Sequence, residues 1–327
     1  MKRVIATVGP SLLNKFPLNE IHKDNYIYRI NGAHGSFENI LEYINKIRSQ
    51  VPSAQILMDL PGNKVRTSNI ENNGINIEKG KVFSLHFDQF NFLDFYKFIK
   101  VGDVIWANDS TYEFHVDSIC DKTKNIYFLS KSTGTLLNNK GMHVRGIHQH
   151  IPFLFEKDKK LIQIANDTGL AFIGLSFVRH AEDVNQALQL LNKDIEIITK
   201  VETKSAVQNL NNILEIAPYI LIDRGDLSTE VSLEKVPRFQ RYIIEKALFH
   251  DRKVFLATQF LKNMENHPIP TIPEIIDLHN TMQKGIYGIQ LSEETAVGKY
   301  PYECLKTIEK VCEEIDSSVL SELNKKC

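Results

Sequence analysis

The sequence predicts an α/β fold, a (β/α)8 TIM barrel with a small all-β lid domain inserted after the third strand. Three observations point to it. Eight short, near-continuously apolar runs recur along the chain, helical periods alternate with them, and one interval from about Thr67 to Lys140 breaks the alternation. Runs that are apolar at successive positions fit parallel strands buried on both faces. Eight β-α units close into a barrel more readily than they spread into an open doubly wound sheet.

The strand-like runs are Arg3 to Gly9, Tyr26 to Gly32, Gln55 to Pro61, Phe172 to Phe177, Ile195 to Glu202, Tyr219 to Asp226, Val254 to Phe260 and Gly288 to Glu294. Helical periods occupy 36–50, 156–168, 181–193, 235–249 and 300–315. Ser36 is placed to cap the first of these, and Gly169 to end the second. The segment 12–25 after the first strand reads as short and helix-poor. Within the interval the runs INIEKG, KVFSLHF, GDVIWAND, YEFHVDSI and NIYFLSK are all strand-like, with only a weak helical period near Phe92 to Ile99. The division expected is a barrel of residues 1–66 and 141–327 and an inserted β-barrel-like lid of residues 67–140. A lid is the natural role for an insert at the strand C-terminal end of a barrel; a purely decorative insertion is the alternative.

Composition narrows the function. Of 327 residues, 43% are apolar and 24% charged, and the formal net charge is -1, so no global field draws nucleic acid or a membrane surface. No apolar run approaches the roughly 20 residues that cross a bilayer, and the N-terminal stretch is too short for a signal peptide. Cys120, Cys304, Cys312 and Cys327 lack metal-ligand spacing and read as reduced thiols of a cytoplasmic protein.

Polar residues crowd the C-terminal ends of the strands, where barrels place their chemistry. In order they are Arg29 and Asn31; Asp59, Lys64 and Arg66; Ser176 and Arg179; Lys200 and Glu202; Arg224 and Asp226; Thr258 and Gln259; Ser292 and Glu294. Lys200 and Glu202 are two apart on a strand and point the same way. With Asp226 at the end of the neighbouring strand, two carboxylates can share a divalent cation, Mg2+ or Mn2+, beside a lysine that neutralises a phosphoryl group in transfer. A structural Lys–Glu–Asp ion network is the competing explanation. No Walker sequence is present, which argues against a P-loop enzyme.

The strings VIATVGPS, RINGAHGS, MDLPGNKVRT, GDVIWANDS, KGMHVRG, EKDKKLI, LSFVRHAEDV, IITKVE, IDRGDLSTEV, ATQFLKNM, HPIPT and QLSEETAVGKYPYECLKTI, in this order, resemble the pyruvate kinase family over essentially the whole chain. The resemblance implies Glu202 and Asp226 as metal ligands, Lys200 as the cation for the phosphoryl group, and Thr258 in a proton relay to the enolate. It implies that Arg224, Gly225 and Asp226 hold the substrate carboxylate and that Ser176 and Phe177 line the substrate pocket. Arg29 and Arg66 would meet nucleotide or phosphate, with Asn31 and His34 close by, and Lys140 and Asp109 would be lid residues. ATP or ADP is the implied co-substrate and phosphoenolpyruvate or pyruvate the other; a different small hydroxyl acceptor and a metal-dependent enolate lyase or aldolase are the other enzymatic readings, and a non-enzymatic binding paralogue the last.

The sequence also departs from the family. Ala33 and Leu60 replace two oxygen-bearing potassium ligands while Asn31 and Asp59 remain, and Lys64 replaces a glutamate. This resembles the potassium-independent branch, with the Lys64 ammonium pairing with Asp59 in place of K+; drift at a dead site is the alternative. Gly32, Pro61, Asp223, Ser228 and Glu293 are further departures. The chain stops where the family usually continues into a regulatory domain. The expectation is therefore no effector response by that route, and a monomer or small homo-oligomer rather than the usual tetramer.

Overall fold

A computed structural model describes residues 2–71, 73–108 and 111–316. Eight parallel strands close into a barrel: Arg3–Thr7, Tyr26–Asn31, Gln55–Asp59, Phe172–Leu175, Glu196–Lys200, Tyr219–Asp223, Lys253–Ala257 and Gly288–Leu291. Each pairs with its neighbours in sequence, and the first closes on the eighth through Arg3 opposite Gly288. Alternation divides the side chains. Ile5, Ile27, Leu57, Phe172, Ile198, Leu221 and Phe255 fill the inside of the barrel. Val4, Tyr28, Met58, Ile197, Ile222, Leu256 and Ile289 face the surrounding helices in one continuous core. The same alternation carries Thr7, Arg29, Asp59, Lys200 and Asp223 inward at the upper rim.

The helices start and stop for local reasons. Ser36 accepts from the Asn39 backbone N–H and Asn39 answers to the Ser36 N–H, a closed capping box on Phe37–Gln50. Gly169 ends Glu156–Thr168 in the left-handed conformation. Two short helices, Pro10–Lys15 and Leu18–Ile21, form where the sequence reads as helix-poor. Pro10 pre-sets the first turn, and Leu12 and Leu18 are fully buried against the barrel, so tertiary packing overrides the weak local signal. The period read over 181–193 ends early, at Leu188.

The interval between the third and fourth strands holds a five-stranded antiparallel sheet in the order Met142–His143, Val104–Ala107, Tyr112–Cys120, Asn125–Ser130 and Val82–His86, and a two-stranded pair, Ile75–Ile77 with Gly134–Leu136. Its own core is built on Phe90, Phe95, Phe114 and Phe128. The chain enters and leaves it side by side: Arg66 bridges Gly141, and Thr67 N–H donates to Lys140 O at 2.8 Å. No helix among the described residues is long and apolar enough to cross a membrane.

Candidate active site

The rim of the barrel gathers most of the residues singled out in the sequence. Lys200, 5% exposed at the end of the fifth strand, lies at its centre. Its ammonium stands 3.2 Å from Glu202 Oε2, 3.5 Å from Asp223 Oδ2 and 3.7 Å from Asp59 Oδ2, and donates to Ser176 Oγ at 3.0 Å. Burial alone would lower its pKa, but the surrounding carboxylates outweigh that and hold it above the ordinary lysine range. Lys200 is therefore a fixed cation.

Glu202 is fully buried. Its Oε1 accepts from the Phe177 backbone N–H at 2.7 Å, with Phe177 held at a left-handed φ of 57°. Burial, with Asp226 and Asp223 close by, raises its pKa against the opposing Lys200 charge. Asp226 lies in the first turn of the helix Arg224–Val231 rather than at the strand end itself. Burial pushes its pKa up, but Lys64 and Lys200 more than reverse this and hold it below the usual carboxylate range.

Lys64 donates to Asp226 Oδ1 at 2.7 Å. This corrects the expectation that it pairs with Asp59. Asp59 is already flanked by two cations: Arg29 Nε and Nη2 reach its Oδ2 at 2.8 and 2.6 Å, and the Lys200 ammonium lies 3.7 Å from the same oxygen. Arg29 also donates to Thr7 Oγ1 at 2.8 Å.

Thr258 and Gln259 follow the seventh strand with φ of 73° and 57°. The turn presents Thr258 Oγ1 to the Gly225 N–H at 3.0 Å. Arg224 Nε and Nη2 both donate to Thr258 O, its Nη1 pairs with Asp277 at 2.6 Å, and its guanidinium lies 4.1 Å from the Phe260 ring centroid. Arg224 thus acts as a brace behind the turn. Arg179 is likewise structural, clasped by Asp183 and donating to Ile151 O.

A 520 Å³ cavity opens beside Arg29, lined by Thr7, Pro10, Asn31, His34, Tyr43 and Glu293 among others. Arg66 instead lines a 730 Å³ cleft with Phe92, Asn139 and Lys157, between the inserted segment and the helix Glu156–Thr168. His34 Nδ1 and Asn139 Nδ2 approach to 3.4 Å across the gap. The Lys140 backbone N–H is held by Thr67 Oγ1 at 2.7 Å. Asp109 lies outside the described residues. Gly32 is explained by a close approach: a Cβ there would sit 2.8 Å from Asp59 O and 2.6 Å from the Leu161 side chain.

The donor set fits a divalent cation. Glu202, Asp223 and Asp226 each offer an oxygen within 4.8 Å of the others, and Glu202 Oε2 is buried without a hydrogen-bond partner. Asp223 was visible in the sequence only as an odd residue before Arg224. Its place two positions after the inward-facing Leu221 is the signal that puts it among these carboxylates.

Comparison with known proteins identifies the family. The family model "Pyruvate kinase, barrel domain" matches residues 1–305. This chain belongs to the pyruvate kinase family. It is 30% identical to pyruvate kinase of Thermotoga maritima over 97% of its own length and 71% of that protein's. It is 32% identical to that of Thermococcus litoralis, over 94% and 68%, and 31% identical to that of Bacillus licheniformis, over 94% and 56%. The chain therefore spans between about half and about 70% of the curated relatives it matches. Membership of the pyruvate kinase family makes the closed parallel barrel that of a phosphotransferase lineage.

Proposed function

We propose that this barrel transfers a phosphoryl group between phosphoenolpyruvate and ADP, in either direction. The observation that carries the reading is the Lys200 ammonium, fixed and buried within 3.7 Å of three carboxylates and a serine hydroxyl. A phosphoryl group in flight needs positive charge that does not have to reorganise, and Lys200 supplies it.

In the forward direction a terminal phosphate oxygen of ADP forms the new P–O bond as the P–O bond to the enol oxygen breaks. The enolate then takes a proton at its methylene carbon, giving pyruvate. Thr258 Oγ1, set by its left-handed turn beside the Gly225 N–H, belongs to the relay that delivers this proton. Gly225 and Asp226, at the start of a helix, orient the substrate carboxylate, with Ser176 and Phe177 as the pocket wall. Arg29, Asn31 and His34 line the cavity assigned to the nucleotide, and Arg66 and Lys140 approach from the lid connection. Glu202 and Asp226 would hold Mg2+ or Mn2+, which when bound adds Lewis-acid charge neutralisation of phosphate oxygens. Lys64 in place of a potassium ion, and a reducing cytoplasmic setting for the free thiols Cys120, Cys304 and Cys312, complete the reading.

A second reading keeps nucleotide and metal and changes the acceptor to another small hydroxyl compound. It is favoured by Asp223, a buried carboxylate beside Lys200 in the substrate region. Both readings are tested by following phosphorus NMR with ADP, Mg2+ and phosphoenolpyruvate, and in reverse with ATP and a panel of small hydroxy acids. Pyruvate formation that is lost in Lys200→Met supports the first; ATP consumption only with another hydroxy acid replaces it with the second. Glu202→Gln keeps an acceptor for the Phe177 N–H, so turnover should fall by about 10²-fold or more with little change in melting temperature. Full activity in excess chelator would overturn the metal assignment.

A further inference from the structure

We propose that Asp223 is a third carboxylate ligand of the divalent cation, alongside Glu202 and Asp226. This rests on the metal reading above and adds to it a ligand that the family resemblance does not supply.

The geometry makes the case. Asp223 ends the sixth strand, and its inward side chain is 7% exposed. Its Oδ1 faces the helix Arg224–Val231, accepting from the Gly225 and Asp226 N–H groups at 3.2 and 3.4 Å. Glu202 Oε1 is likewise turned to a backbone N–H, that of Phe177. What remains are Asp223 Oδ2 and Glu202 Oε2, both against the one ammonium of Lys200, at 3.5 and 3.2 Å. Each carboxylate therefore has one oxygen fixed by the backbone and the other directed at the shared centre, and Asp226 brings the third oxygen within 4.8 Å of both. Glu202 Oε2 is buried, and the cation beside it is the Lys200 ammonium at 3.2 Å, which leaves lone-pair capacity for a metal ion.

Charge explains why the third carboxylate is tolerated. Four carboxylates, Asp59, Glu202, Asp223 and Asp226, face three cations, the Arg29 guanidinium on Asp59, the Lys200 ammonium, and the Lys64 ammonium on Asp226 Oδ1 at 2.7 Å. A buried carboxylate added without a counter-charge is strongly destabilising. Lys64 thus balances Asp223 across the site. Mg2+ usually takes one or two protein carboxylates and leaves the rest of its octahedron to water and substrate. A third ligand should raise affinity for the free cation and remove one exchangeable water.

The test is Mn2+ binding to the substrate-free protein, read by electron paramagnetic resonance titration and by water-proton relaxation. Asp223→Ser keeps a hydroxyl able to cap the helix but is too short to ligate; Asp223→Asn keeps cap and length and removes the charge. The expected result is a dissociation constant raised about tenfold or more in Asp223→Ser, a smaller rise in Asp223→Asn, and faster relaxation per bound Mn2+ in Asp223→Ser. Thermal melts without metal should stay close to the parent for both. Unchanged Mn2+ affinity and relaxation in Asp223→Ser, with affinity lost in Glu202→Gln, would overturn the third-ligand assignment and leave the two-carboxylate site standing. Unchanged affinity in Glu202→Gln would overturn the metal reading itself.

Discussion

Among single residues, Lys64 has the most exposed consequence for catalysis. Its ammonium sits on Asp226 and 5.8 Å from the Phe177 ring centroid, so it delivers a permanent positive charge to the carboxylate cluster. A monovalent ion in this region would need oxygen ligands, and Ala33 and Leu60 offer none from their side chains. Exchanging K+ for a large organic cation at fixed ionic strength should therefore change the initial rate by less than about twofold. Lys64→Glu should lower it by about 10²-fold, the scale of losing one fixed charge aimed at a transferring group, with K+ restoring only part. A strongly potassium-activated parent enzyme would rule this out. Asp158 makes a separate prediction. It is fully buried and accepts from Gly62 N–H at 2.9 Å and Phe155 N–H at 2.8 Å. Burial pushes its pKa up to about 6 from an ordinary 3.8. The folded state then holds its proton more tightly than the unfolded chain does. The stability from that proton is complete below pH ~4 and is lost as pH rises through ~6, by an amount on the order of 2–3 kcal/mol. Urea unfolding of Asp158→Asn should show a flatter pH dependence across this window; an unchanged slope would assign the window to other groups.

Among elements, the turn after the seventh strand and the helix after the sixth act as one unit. Two consecutive non-glycine residues at positive φ, Thr258 and Gln259, cost on the order of 1–3 kcal/mol each, and the Arg224 brace holds them in place. Arg224→Met should lower kcat about tenfold or more while KM for the nucleotide stays nearly constant, and Arg224→Lys should not rescue it, because one ammonium cannot replace a fork that spans Thr258 O and Asp277. Equal falls in kcat and nucleotide affinity would point to general loosening instead. This unit also shows where sequence reading stops. The eight strands and the caps at Ser36 and Gly169 were legible because periodicity and local hydrogen bonding produce them. Lys200 and Glu202 were legible from their two-residue spacing at the end of a strand, and Asp226 from the motif order alone, since it lies in the first turn of a helix and not on the strand. The left-handed turn at Thr258 was not, since it depends on an arginine 34 positions away. The partner of Lys64 was not either, because Asp226 is 162 positions away and Asp59 is the nearer carboxylate in sequence.

Over the whole molecule, the antiparallel sheet has a core of its own, separate from the barrel's, and joins the barrel through two chain segments bridged at Arg66 and Gly141. A side chain at the second position would displace the end of a lysine: a Cβ on Gly141 would lie 2.8 Å from Lys64 Cε. The crossing thus ties the path of the insert to the lysine that neutralises Asp226. Because the entry and exit points of the insert are neighbours, a short turn can join them, with loss of the packing that Val65, Met142, Ile147 and Ile151 make with the insert. A short polar turn joining Arg66 to Gly141 should leave a barrel that still folds with Mn2+ affinity near that of the parent but no longer transfers phosphate to its partner substrate; failure of the shortened barrel to fold would show that the insert stabilises it. In genetic terms the insert has the geometry of a cassette, with both ends at one place. Ends that meet in space allow such a segment to be acquired, exchanged or lost in one genetic event, so descent of the barrel and descent of its cover need not have followed the same history.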